Sequence, residues 1–226
     1  MFNVLIIVSL LTAFVLTLLL GTVYIDFLKK KMYTQYILED APETHAKKAG
    51  TPTTGGIFIV LPAIAAASAA LIMNRSLTYG ALAVLASFFF FMLAGLCDDI
   101  GKIRKKQNKA GLTPRNKLFL QFAASLLPAV FITLSGHTYL NIGDFSFNLG
   151  YLYPVFAVIF ITGVSNAVNL TDGLDGLAAS NFAIAAAASA VICAMTHQID
   201  LAIIAAAAAG SCAGFLYYNR YSYKFY

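Results

Sequence analysis

The chain has 226 residues, of which 60% are hydrophobic and only 11% charged, with a formal net charge of +5. Soluble domains run at about 45–50% apolar and about 25% charged. An ordinary water-soluble domain is therefore excluded: a core of this size cannot hold so much apolar surface, and part of it must face lipid.

In chain order, the first element is the apolar stretch Phe2–Ile25. It carries no charge and exceeds the roughly 20 residues a helix needs to cross a bilayer. A cleaved signal peptide fits it poorly, because no basic residue precedes it and it exceeds the usual apolar region of about 7–15 residues. Further spans are expected over Gly56–Met73, Tyr79–Cys97, Leu118–Leu134, Tyr151–Val168, Leu177–Thr196 and Leu201–Tyr218, making seven. Three of these carry Ala-rich runs, at 63–70, 183–190 and 205–209, and small residues suit close helix–helix contact in lipid. The segment Gly136–Gly150, with Asn, Gly and alternating Phe, predicts a short outer hairpin. Cys97, Cys193 and Cys212 lie in or at the ends of apolar stretches and read as buried thiols, with no disulfide framework. Tryptophan is absent, and Tyr24, Tyr79, Tyr151 and Tyr217 near stretch ends suit interfacial anchoring.

Charge sets the expected orientation. With the N-terminus outside, alternation of the spans puts Lys29, Lys30, Lys31, Lys47 and Lys48 in the first inner loop (28–55). The second (98–117) takes Lys102, Arg104, Lys105, Lys106, Lys109, Arg115 and Lys117, and the tail takes Arg220 and Lys224. Fourteen of the 15 Lys and Arg then face the cytoplasm, with Arg75 the exception. This asymmetry predicts an all-α, polytopic transmembrane bundle, N-out and C-in, forming one integral membrane domain over 1–226. The basic residues of the second loop also suit anionic lipid heads.

Three polar segments share that inner side: 40–56, the run that opens with Asp98-Asp99, and 166–176. Two adjacent carboxylates at the end of a span are expensive unless paired, hydrated or metal-bound, and they oppose the helix dipole if the helix ends there. They read as a Mg²⁺ site or a general base, since Mg²⁺ is commonly held by one or two carboxylates plus substrate phosphates. Lys102 falls on the same side if the helix continues, as an ion-pair partner or a phosphate contact. The third segment packs Asn166, Asn169, Asp172 and Asp175 into eleven residues between two spans. Asp172 and Asp175 are spaced to share a helical face, and a hydrogen-bond network between helix ends is the plainer reading. Gly50 to Gly56 opens a span, where free N–H groups attract anions, although no P-loop pattern is present. His45 alone is a weak signal, despite a titration range suited to acid–base work. Together these parts suggest phosphoryl transfer between a soluble phosphate ester and a lipid, which relies on positioning and charge neutralisation.

Three blocks carry a specific resemblance: Pro42-Glu-Thr-His-Ala-Lys-Lys-Ala-Gly-Thr-Pro-Thr-Thr-Gly-Gly56, Asp98-Asp-Ile-Gly-Lys-Ile-Arg-Lys-Lys-Gln-Asn-Lys-Ala-Gly-Leu112, and Asn166-Ala-Val-Asn-Leu-Thr-Asp-Gly-Leu-Asp-Gly-Leu-Ala178. In this order they resemble the phospho-N-acetylmuramoyl-pentapeptide-transferases of the polyprenyl-phosphate sugar-1-phosphate transferase superfamily, over essentially the whole chain. The resemblance implies a Mg²⁺-dependent transfer from UDP-N-acetylmuramoyl-pentapeptide to undecaprenyl phosphate. That places the enzyme in the bacterial inner membrane, with its site on the cytoplasmic face, in peptidoglycan biosynthesis. It implies a homodimer among membrane lipid and no nucleic-acid partner. By the same analogy Asp98 acts as base toward the lipid phosphate, supported by Asp99. A covalent aspartyl nucleophile is the alternative. Lys48, Thr53, Asn166, Asn169, Asp172 and Asp175 match positions around the uridine and pyrophosphate, and Lys102 and Lys117 match phosphate-handling lysines.

Two departures stand out. The family has Met where Thr54 stands. Members also have about ten spans and continue past the aromatic block Gly214-Phe-Leu-Tyr-Tyr-Asn219 into a Gly-Asp motif that supplies the main Mg²⁺ ligand, then a His-rich loop. This sequence stops at Tyr226, so it reads as an N-terminal fragment without turnover of its own. The rival readings are a sister enzyme of another glycan pathway, which Thr51-Pro-Thr argues against, and a non-catalytic scaffold or transporter. A transporter more often carries charges mid-span.

Overall fold

In hydrocarbon every backbone N–H and C=O must be bonded inside its own segment or barrel, so uninterrupted apolar runs become helices. The structure, a computed structural model, describes residues 4–30, 54–105, 111–136, 138–172 and 175–219. The described residues form helices α1 (Val4–Lys30), α2 (Ile57–Met73), α3 (Tyr79–Lys105), α4 (Pro114–Leu134), α5 (Tyr153–Thr171), α6 (Leu177–Met195) and α7 (Ile199–Asn219). Strands β1 (Tyr139–Ile142) and β2 (Phe145–Asn148) lie between α4 and α5, and a 3-10 turn, Gly150–Leu152, leads into α5.

The protein is a membrane helical bundle. Six helices, all but α2, are long and apolar enough to cross a bilayer. The seventh expected span, Gly56–Met73, is the 17-residue helix α2. At 1.5 Å per residue it reaches about 25 Å, short of a hydrocarbon core about 30 Å thick. Among the described residues six helices thus reach crossing length, and α2 stands at the short end of the spanning range.

The other departure is at the end of α3. The sequence places a loop from Asp98, but the helix runs on to Lys105. An i,i+4 pair between Asp98 and Lys102 spans the added turn and sustains the helix beyond its apolar stretch. Helix α4 then starts at a proper cap: the Thr113 hydroxyl accepts from Asn116 N–H, with Pro114 at the first position.

Helix α7 is the centre of the packing. In its crossing window 61% of the residues are buried, against 11% in α6 and in the segment Gly150–Thr171. Its buried face carries five alanines with Gly210, Ser211 and Gly214, beside Ile203, Ile204 and Cys212, and the small side chains let α1 approach backbone to backbone. A Cβ on Gly210 would run into the Leu10 carbonyl, and one on Gly214 would meet Phe14 O and Thr17. Hydroxyls stitch the same seam. Ser9 donates to Ile203 O at 3.1 Å, Thr17 and Ser211 share a hydrogen bond at 2.8 Å, and Ser211 also donates to Ile59 O of α2. A second group, α3, α4 and α5, packs sequentially, α3 on α4 and α4 on α5.

Candidate active site

The chain path fixes which ends meet. Helix α3 ends beside the start of α4, and α5 returns antiparallel to α4. The ends that carry Asp98, Lys117 and Asn169 therefore come together, and the hairpin lies at the opposite end of the bundle.

At the near end Asp98 and Asp99 stand on the last turns of α3. Lys102 Nζ lies 2.6 Å from Asp98 Oδ2 and 3.6 Å from Asp99 Oδ1, so one ammonium serves both carboxylates. Each carboxylate has a further, non-local donor. Leu112 N–H donates to Asp98 Oδ1 at 2.7 Å, and Thr54 N–H donates to Asp99 Oδ2 at 3.1 Å. Charge-assisted bonds of this kind are stronger than neutral ones and hold the pair in a fixed orientation. Gly111 is required beside them, because a Cβ there would collide with the Asp98 carboxylate and crowd Lys102 Cε.

Thr54 itself is unusual. Its φ is +68°, a left-handed conformation uncommon outside glycine and a true outlier for a β-branched residue. Its hydroxyl pairs with Tyr24 OH at 2.8 Å, and the Tyr24 ring packs on Phe58 with centroids 5.6 Å apart. Helix α1 thus reaches Asp99 through Tyr24 and Thr54.

Lys117 on α4 donates to Asn169 Oδ1 on α5 at 3.0 Å, and its ammonium is within Coulombic range of Asp98. Asn166, one turn earlier, donates to Gln121 Oε1 and Thr162 O, both at 2.9 Å, and so ties α5 to α4. Asp172 caps the end of α5, with φ −78° and ψ 49°. The helix stops at Thr171, so Asp172 and Asp175 do not share a helical face as their spacing suggested; both are exposed. Lys48, Thr53 and His45 lie outside the described residues.

An elongated cavity of about 600 Å³ opens beside the carboxylates, between α2, α3, α5, α6 and α7. Its walls are mostly apolar, with Val60, Phe88, Phe91, Met92, Ile161 and Val164 among them, and Asp99 is the one carboxylate on them among the described residues. Along α3 the lining runs from Asp99 back to Ser87, about 18 Å of helix. A charged headgroup and an apolar tail on one molecule match that shape.

The sequence of residues 81–226 matches the glycosyl transferase family 4 model. The phospho-N-acetylmuramoyl-pentapeptide-transferase of Bacillus licheniformis is 36% identical over 219 residues, covering 96% of this chain and 67% of its own length. Those of Geobacillus thermodenitrificans and Clostridium acetobutylicum are 37% and 38% identical, each covered over 68% of its length. The chain belongs to the phospho-N-acetylmuramoyl-pentapeptide-transferase family. The transferase family model takes in Asp98, Asp99, Lys102, Lys117, Asn169 and Asp172 together.

Sequence reasoning gave Tyr24 only an interfacial role and did not single out Leu112, Gly111 or Gln121. Leu112 and Thr54 act through backbone N–H groups, which leave no mark on residue type. Gly111 was within the quoted second block, and a glycine beside a carboxylate-bearing turn was the available signal.

Proposed function

We propose that the protein transfers phospho-N-acetylmuramoyl-pentapeptide from its UDP derivative to undecaprenyl phosphate, giving the lipid-linked peptidoglycan precursor and UMP. The observation that carries this reading is Asp99 on the wall of an apolar cavity, with Lys102 bridging it to Asp98 and the Lys117–Asn169 pair at the same end of the bundle. The family membership supports the same reaction.

The acceptor's isoprenoid tail occupies the cavity and presents its phosphate to the carboxylates. Asp98 takes the proton of that phosphate, with Asp99 holding the local charge. The freed oxygen attacks the phosphorus attached to the sugar, and the bond from that phosphorus to UMP breaks. Lys102 and Lys117 hold the pyrophosphate and offset the negative charge of the transition state. Asn169, Asp172 and Asp175 serve the nucleotide side, with Asn166 fixing the α4–α5 wall behind them, and the family resemblance assigns Lys48 and Thr53, outside the described residues, to the same role.

Mg²⁺ is the cofactor this chemistry calls for. Asp98 and Asp99 fit it, because a single cationic group, the Lys102 ammonium, already reaches both carboxylates. Among the described residues no group of three or more His, Cys, Asp or Glu converges, so Asp98 and Asp99 would contribute to holding the ion together with substrate phosphates and the Gly-Asp carboxylate that the family resemblance implies. When bound, the ion neutralises pyrophosphate charge. The site lies on the cytoplasmic face of the bacterial inner membrane, N-terminus outside, and the protein works as a homodimer.

The test is transfer in membranes carrying the gene's full product, supplied with UDP-N-acetylmuramoyl-pentapeptide, undecaprenyl phosphate and Mg²⁺. Lipid-linked product and stoichiometric UMP are expected, and Asp98→Asn is expected to lower the rate at least about 100-fold, as loss of a general base does. Use of UDP-N-acetylglucosamine in place of the muramoyl donor would assign the chain to a sister pathway. No transfer with either donor would make it a non-catalytic membrane protein.

A further inference from the structure

The hairpin between α4 and α5 has no part in the chemistry above, yet its two faces differ sharply. The register pairs Leu140 with Phe147 and Ile142 with Phe145. Side chains alternate along a strand, so these four apolar residues share one face, and Tyr139, Asn141, Ser146 and Asn148 share the other. The Phe145 and Phe147 rings stack with centroids 6.5 Å apart, as residues on one face do. Ile142, Phe145 and Phe147 are nevertheless 60%, 70% and 53% exposed.

The neighbours of this face identify what covers it. Leu134 at the end of α4 is 83% exposed, and Tyr151 and Leu152 at the entry to α5 are 98% and 69% exposed. The hairpin is thus flanked in the chain by exposed apolar residues at the ends of two helices of crossing length. Its composition agrees. Asp144 at the tip is the one Lys, Arg, Asp or Glu between Lys117 and Asp172. Both strands are edges whose outward backbone groups need water, which the hydrated boundary layer supplies and hydrocarbon does not, and aromatic rings prefer that layer.

We propose that the hairpin is a membrane-interface anchor, its Leu140–Ile142–Phe145–Phe147 face seated at the headgroup–acyl boundary of the leaflet opposite the Asp98 carboxylates, with the Tyr139–Asn141–Ser146–Asn148 face toward water. It ties the α4–α5 connection to the bilayer surface and so sets the depth of the two helices that carry Lys117 and Asn169.

The chain contains no tryptophan, so a single introduced indole reports without background. Phe147→Trp and Ser146→Trp place it on opposite faces of one strand. In phosphatidylcholine vesicles containing lipids brominated near the top of the acyl chain, the F147W protein is expected to lose most of its emission and to resist aqueous iodide. The S146W protein is expected to do the reverse. Equal behaviour at the two positions overturns the proposal, as does shielding of F147W from both quenchers that disappears when the protein is diluted in lipid, the mark of a second copy on that face.

Discussion

One ammonium between two carboxylates makes Lys102 the residue whose loss both aspartates feel. Lys102→Ala removes the one ammonium bonded to both Asp98 and Asp99, together with a phosphate contact. A fall in kcat of about 100-fold is expected, the usual effect of deleting one donor to a developing charge, and steady-state kinetics would show it. Asp98 as base and Asp98 as nucleophile differ in one observable. With donor labelled on the sugar-bound phosphate and acceptor withheld, the base mechanism leaves no label on the protein after denaturation; retained label contradicts it. The Tyr24–Thr54 contact is a subtler case. Tyr24→Phe removes one hydroxyl bond worth about 1 kcal/mol but keeps the ring on Phe58, so stability should change by about that much. Because the strained Thr54 backbone orients Asp99, transfer should fall more than stability predicts, measured as kcat beside unfolding in mixed micelles. Equal loss of both would reduce Tyr24 to a structural role. At this scale the carboxylate pair was legible because adjacent aspartates at the end of an apolar run rarely occur without a purpose. Thr54 and Leu112 were not, because a backbone N–H reaching across tens of residues has no signature in composition or spacing.

Among elements, the long apolar runs declared themselves, because a bilayer permits little besides a helix over such lengths. Their ends did not. Helix α3 overruns its apolar stretch to Lys105 since an ion pair sustains it, and α5 stops at Thr171 just before the aspartates whose spacing suggested a shared face. The centrality of α7 was also hidden: its alanines and glycines look weakly hydrophobic, but small size, not hydropathy, lets α1 and α2 close on it. Two glycines test that view. Gly210 lies against the Leu10 carbonyl, whereas Gly163 in α5 has nothing near its missing Cβ. Gly210→Ala should destabilise the bundle by about 1–3 kcal/mol, as overpacking does. Gly163→Ala should leave it unchanged or raise stability by up to about 1 kcal/mol through helix propensity. Unfolding by SDS in mixed micelles gives both numbers. Equal effects would mean that α1 and α7 do not meet as closely as described.

For the whole molecule, the arrangement separates two jobs by membrane face. The carboxylates, Lys117 and Asn169 gather at one end of α3, α4 and α5, and the amphipathic hairpin sits at the other. Residues distant in sequence meet because three antiparallel helices share their ends, which hydropathy alone anticipates. Side-chain pairs such as Lys117 with Asn169 depend on helix rotation, which it does not. The most direct measurement is photolabelling with a 5-azidouridine analogue of UDP-N-acetylmuramoyl-pentapeptide, followed by peptide mapping. Label is expected on peptides from both the Asp98–Lys117 region and the Asn166–Asp175 region, removed from both by excess UMP. Label confined to one of them, or label that UMP does not displace, would contradict a single shared site.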